Sequence, residues 1–179
     1  IIYLNADDYF YEDAFQVIVD VFKNQNEVDM VVGNLYVDKE GIMIPNTNST
    51  ISWKDLSILR GRFPLNPVSY CYKRYVQEKI GDFPINEHYT MDYWFLLRAF
   101  YFFETVKIEN FLGCFVFDGT NKTSIIVNGF SIQMPHALKF TLRYTPARFF
   151  YVFKKLLLHK KNKTRASLFL KKLLKKYKS

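Results

Sequence analysis

Three aspartates in this chain stand where carboxylates can do chemistry. Asp7 and Asp8 are adjacent, at the end of the apolar run that opens IIYLNADDYF, and Asp92 begins the aromatic segment DYWFLLRAF. Neighbouring carboxylates suit a hard divalent cation, which in turn grips phosphates. The same pair equally suits a solvated turn or a helix cap. Asp92 points to different chemistry. With Thr90 as N-cap it falls at the second helical position, where the positive end of the helix dipole favours the ionised form. Beside an acceptor, such a carboxylate takes the proton of a hydroxyl as that hydroxyl attacks. The plain alternative is a helix cap or a partner for Arg98.

The elements that must position these groups follow from pattern. Residues 1–4, apolar and closed by a polar turn, read as a buried strand of a parallel sheet, and ligands of open α/β sheets sit beyond the carboxyl ends of such strands. A strand of that kind needs neighbours on both edges, so the chain reads as a C-terminal fragment without its preceding βαβ units. Residues 12–24 carry helical spacing, with Glu12 and Asp13 at the favourable end. The β-branched run 28–37, the turn DKEG at 38–41 and the short strand IMI form a hairpin. Ser52 starts a short helix within 51–59. Pro64 and Pro67 make 61–69 a loop, and a helix over 73–80 stops at Gly81. The stretch 93–103 is apolar nearly all round, which predicts a buried helix. Two strands, TVKIENF and GCFVF, precede a loop containing Gly119 and Gly129. The class is α/β.

Composition adds an asymmetry. All 17 acidic residues lie within 1–118 beside 10 basic ones, whereas 119–179 holds no acid and 15 Lys or Arg. An acidic globular body and a cationic tail imply separate jobs. The tail has amphipathic stretches at 147–159 and 165–178. In the second, Ala166, Phe169, Leu170, Leu173, Leu174 and Tyr177 recur at helical spacing among lysines, the pattern of a helix lying in a membrane interface, with a helix packed on the protein body or on a partner as the alternative. No apolar run reaches the roughly 20 residues that span a bilayer. With 18 Phe and 13 Tyr, the core is built from large rings. Cys71 and Cys114 read as reduced core residues of a cytosolic protein, with a single disulfide as the alternative. The sequons at Asn48, Asn121 and Asn162 read as chance matches.

Taken in order, LNADDYF, VVGNLYV and LNPVSYCYKRYVQEKIGDFPINEHYTMDYWFLLRAF resemble the later half of the family 2 glycosyltransferases, which have the GT-A fold. The resemblance covers roughly residues 1–118. It implies a partial GT-A (Rossmann-like) domain over 1–138, followed by a basic amphipathic helical tail over 139–179. It further implies that Asp7 contacts the nucleotide ribose or supports the site, that Asp8 coordinates Mg or Mn, and that Asp92 is the catalytic base. Asn5 stands where the family often has Asp, and Asn66-Pro67-Val68-Ser69 matches an acceptor-side loop. Trp53, Asn66 and His88 are the acceptor-binding candidates. Trp94 reads as core. His136 is either a late histidine near the metal or part of a surface turn, and the turn is the preferred reading. The implied activity is inverting transfer from a nucleotide-sugar, a UDP-sugar by resemblance, to a saccharide or lipid-linked acceptor in cell-surface polysaccharide assembly. The implied location is cytoplasmic, peripheral at the inner face of the membrane, with the tail on anionic lipid. The rival class is a non-enzymatic basic module binding anionic membrane or nucleic acid. Gly-rich RNA-binding signatures are missing, and no specific nucleic acid is expected.

Overall fold

The strand β2, Met30–Lys39, forms where the sequence is richest in β-branched residues, and the other strands assemble on it. The computed structural model describes residues 1–49, 51–60, 64, 66–85, 89–119 and 129–158. On one side β2 pairs in parallel with β5, Thr105–Phe117. On its other side it pairs antiparallel with β4, Tyr70–Tyr72, near its start and with β3, Ile42–Asn46, near its end. The two-residue β1, Tyr9–Phe10, runs antiparallel along the far edge of β5. The sheet is therefore mixed, and β2–β5 is its parallel pair.

Alternation along the strands sorts side chains between two cores. Met30, Val32, Tyr70 and Tyr72 enter the larger one, beneath five helices. These are α2 (Trp53–Ser57), α3 (Arg74–Ile80), α4 (Met91–Phe102), α5 (Gly129–Tyr144) and α6 (Pro146–Leu158). Val31, Cys71 and Leu112 face the other way and meet Ala14 and Ile18 of α1, Ala14–Asn24. Both cysteines are buried free thiols, and burial pushes that of Cys71 up to about 12.

Local signals explain many of the boundaries. Glu40 and Gly41 take φ of 55° and 85°, the primed two-residue turn that matches strand twist, with Lys39 opposite Ile42. The Ser52 hydroxyl accepts from the Asp55 amide at 3.4 Å to begin α2. Gly81, with φ of 90°, ends α3 and donates its N–H to the Gln77 carbonyl. α4 is apolar on most sides because Tyr93, Phe95, Leu96, Leu97, Ala99 and Phe100 are all buried, between the sheet and the neighbouring helices.

Other expectations are corrected. Residues 1–4 form no regular strand and are exposed. Ile1 exchanges both backbone hydrogen bonds with Tyr72, but β4 is three residues long and gives way to a 3-10 turn at Pro67–Ser69, so no ladder extends along Ile2–Leu4. The two strands expected from TVKIENF and GCFVF are one, β5. It absorbs register shifts opposite Asn34, whose amide donates to the Glu109 carbonyl at 2.8 Å and fills the irregularity. Gly129 begins a helix instead of lying in a loop. The tail read from residue 139 starts inside α5, and Phe140, Val152 and Leu156 place its described part in the larger core. Residues 165–178 lie outside the described residues, as do Asn121 and Asn162. Asn48, the first sequon, is 1% exposed, with its side-chain amide donating to the Gly33 carbonyl.

Gly113 on β5 marks the tightest approach. A Cβ there would lie 2.3 Å from the Tyr9 carbonyl oxygen and 2.5 Å from a Val68 methyl. The first obstacle is backbone, which cannot swing aside. Gly113→Ala should destabilise the protein by about 1–3 kcal/mol, the usual range for overpacking, as read by urea unfolding; an unchanged midpoint would show that β1 and the 66–69 turn are free to shift.

Candidate functional site

Asp8 sits at the end of the opening segment, 7% exposed, and its carboxylate gathers three chain segments. Its Oδ2 accepts from the side-chain amides of Asn5 and Asn66, each at 2.7 Å, and its Oδ1 accepts from the Val116 backbone N–H at 3.1 Å. Three N–H donors are what a buried carboxylate requires to stay out of water. Oδ2 thus takes two donors and Oδ1 one. Asp7, next to it, is exposed.

Asn66 is fully engaged by the fold. Beyond its bond to Asp8, its Oδ1 accepts from the Val68 amide at 2.9 Å and its carbonyl from the Ser69 hydroxyl at 2.9 Å. It is 3% exposed, so it organises the loop and does not present itself to an acceptor. Four residues on, Tyr70 begins β4, and its phenol donates to Asp92 Oδ1 at 2.7 Å. Four residues span at most about 14 Å. Asp8 and Asp92, 84 positions apart in sequence, are thus tied to the two ends of one short segment.

Asp92 occupies the second position of α4, as the pattern predicts. Burial raises its pKa above the ordinary carboxylate value; the Tyr70 hydrogen bond and one from its own backbone pull the other way and offset only part of this. Tyr70 is buried, and desolvation together with the Asp92 charge pushes its phenol well above the usual value, so it remains a donor. Arg98 is occupied elsewhere: its guanidinium stacks 3.9 Å over the Trp94 ring and donates to the Trp94 carbonyl at 2.8 Å.

Thr90 precedes α4 but does not cap it with its side chain. Its hydroxyl meets His136 Nε2 at 2.9 Å instead, with the two residues 4% and 7% exposed. The surface turn preferred at Pro135-His136 is therefore corrected to a buried position within α5. Pro135 lacks the N–H that an α-helix would bond at this point, and the burial of Met134, Ala137 and Leu138 around it keeps the helix intact.

The structure brings Asp8, Asn66, Tyr70, Asp92, Thr90 and His136 into one connected set. Trp53 stands apart, half-buried on the helical layer, with Tyr101 edge-on at 5.0 Å between ring centroids and Arg148 5.4 Å over its ring. Trp94 packs against the core, as expected. His88 lies outside the described residues. Sequence reasoning missed Tyr70 and the Thr90–His136 pair. Strand alternation places Tyr70 and Tyr72 on one face, but only tertiary packing reveals that α4 begins over the first of them.

Among the described residues no group of three or more His, Cys, Asp or Glu converges. A magnesium-type ion needs only one or two protein carboxylates, since water and substrate phosphates complete its shell. The carboxylate of Asp8, whose Oδ1 takes one donor where Oδ2 takes two, is compatible with that requirement. No protein-family model matches the chain, and no curated protein matches it.

The raised pKa of Asp92 has a measurable sign. A carboxyl whose folded pKa exceeds its unfolded value favours folding below the unfolded pKa, and that contribution is lost as pH rises through the folded value. The cost of burying the Asp92 charge therefore weighs against folding as pH rises through the folded value. Asp92→Asn, which keeps an acceptor for Tyr70, should melt at a higher temperature than the parent at neutral pH. The gap should close toward about pH 4, near the ordinary Asp value. A lower melting temperature at neutral pH would show that the charge itself holds the fold.

Proposed function

We propose that this chain carries the metal edge and the acceptor side of an inverting glycosyltransferase with a GT-A-type α/β fold. The observation that carries the reading is Asp92: a carboxylate in the first turn of a buried helix, held by a neutral tyrosine, with its basicity increased by desolvation. A general base works best when its pKa is tuned upward toward the operating pH. The order of segments that resemble family 2 glycosyltransferases supports the same assignment.

In this mechanism Asp92 accepts the proton of an acceptor hydroxyl. The oxygen forms a bond to the anomeric carbon of a nucleotide-sugar, a UDP-sugar by resemblance, as the bond from that carbon to the departing diphosphate breaks, and the configuration inverts. Tyr70 fixes the orientation of Asp92 and favours its ionised form before the proton arrives. Asp8 and Asn66 hold the segment that carries Tyr70, and Asp7, by resemblance, contacts the nucleotide ribose or supports the site. Mg or Mn, when bound at Asp8, would supply positive charge against the leaving diphosphate. The acceptor is a saccharide or lipid-linked saccharide of cell-surface assembly.

The test is nucleoside diphosphate release from a panel of nucleotide-sugars with Mg or Mn present. Asp92→Asn should lower kcat by about 10²- to 10⁴-fold with the donor KM nearly unchanged; retained turnover would remove Asp92 from the chemistry. Tyr70→Phe deletes a hydrogen bond that lowers the Asp92 pKa, so the acid limb of the pH–rate profile should move to higher pH. A limb that stays in place would mean that another group titrates there.

A further inference from the structure

α6 has two faces, and the core accounts for one of them. Val152 and Leu156 are buried, with Phe149 and Phe153 packed against the same cluster. On the opposite side, at spacing i, i+3, i+4, i+7 and i+8, lie Ala147, Phe150, Tyr151, Lys154 and Lys155, all exposed. Phe150 is 77% exposed and Tyr151 46%. A single exposed apolar residue requires no explanation, but two adjacent rings above two lysines on one helical crest form a patterned surface. Arg148 and Lys155 flank the Tyr151 ring at 5.1 and 5.6 Å. Lys139 and Arg143, a turn apart on α5, are exposed as well. Neither helix contains an acidic residue, nor does any position from 119 to 179.

We propose that this outer face of α6 docks the protein on an anionic lipid surface. Phe150 and Tyr151 enter the boundary between headgroups and acyl chains, and Lys154 and Lys155 meet the lipid phosphates. Charge complementarity selects the partner, and the geometry favours lipid over nucleic acid. Proteins that stack bases do so along grooves, whereas these rings stand on a helix crest, the arrangement of interfacial helices. The inference is independent of glycosyl transfer. Among the described residues no helix is long and apolar enough to cross a membrane.

The test is co-sedimentation of the full chain with phosphatidylcholine vesicles, with and without phosphatidylglycerol. Binding should require the anionic lipid and weaken with salt. Lys154→Gln and Lys155→Gln should each weaken it about 5-fold. Phe150→Ser combined with Tyr151→Ser should weaken it about tenfold or more. The replaced side chains are exposed, and circular dichroism checks that the fold survives. Phe150→Trp should gain blue-shifted emission, relative to the parent chain, when anionic vesicles are added. The proposal is overturned by equal binding to phosphatidylcholine alone or by full binding of the double serine variant. It is equally overturned by unshifted emission from the tryptophan variant while it sediments, or by capture of an oligonucleotide duplex with vesicles ignored.

Discussion

A buried carboxylate must be answered by donors, and in this fold that requirement joins three distant parts of the chain. Asp8 draws Asn5 from its own segment, Asn66 from the middle of the chain and the Val116 amide from the end of β5. Removing one donor would leave charge in a low-dielectric setting, which costs far more than an ordinary lost hydrogen bond. The position of the 66–69 turn follows from this contact. The turn in turn carries Val68 against Gly113 and delivers Tyr70 to the start of α4. The candidate base is therefore placed through a polar anchor at the other end of the 66–70 segment.

The aromatic richness of the chain serves the other side of that arrangement. Tyr101 meets Trp53, Phe140 and Tyr144 at centroid separations of 5.0, 5.4 and 6.0 Å, joining α2, α4 and α5. Rings of this size, meeting edge-on and tilted, set the spacing between helices that share little other chemistry. The Thr90–His136 bond sits at one end of the contact between α4 and α5, so the helix that opens with Asp92 is held by packing along its length and by a buried polar bond at its first turn.

Much of this was legible in the residues wherever a local rule governs. The primed turn at Glu40-Gly41, the Ser52 cap, the stop at Gly81 and the place of Asp92 in its helix each depend on a few neighbouring positions. What stayed hidden depends on partners far away in sequence. Thr90 has the right type for an N-cap, yet His136, 46 positions on, takes its hydroxyl. Ile1–Leu4 has the composition of a strand, but a strand is made by its neighbours, and β4 offers Ile1 a single pairing. Asn66 was an acceptor candidate because Asn66-Pro67-Val68-Ser69 matches an acceptor-side loop; its amide is used by Asp8. Pro135 suggested a turn, and the apolar surface buried around it overrode that preference.

The sheet also contains its own reporters of opening. Cys71 lies on β4 and Cys114 on β5, both out of reach of solvent. Alkylation and disulfide exchange proceed through the thiolate, and burial keeps the Cys71 sulfur protonated well past neutrality. A thiol reagent therefore finds Cys71 unreactive in the closed sheet and modifies it only in the interval when β4 has parted from β2. In native protein, the speed of labelling at that position is a clock for the strand that holds Tyr70 against Asp92.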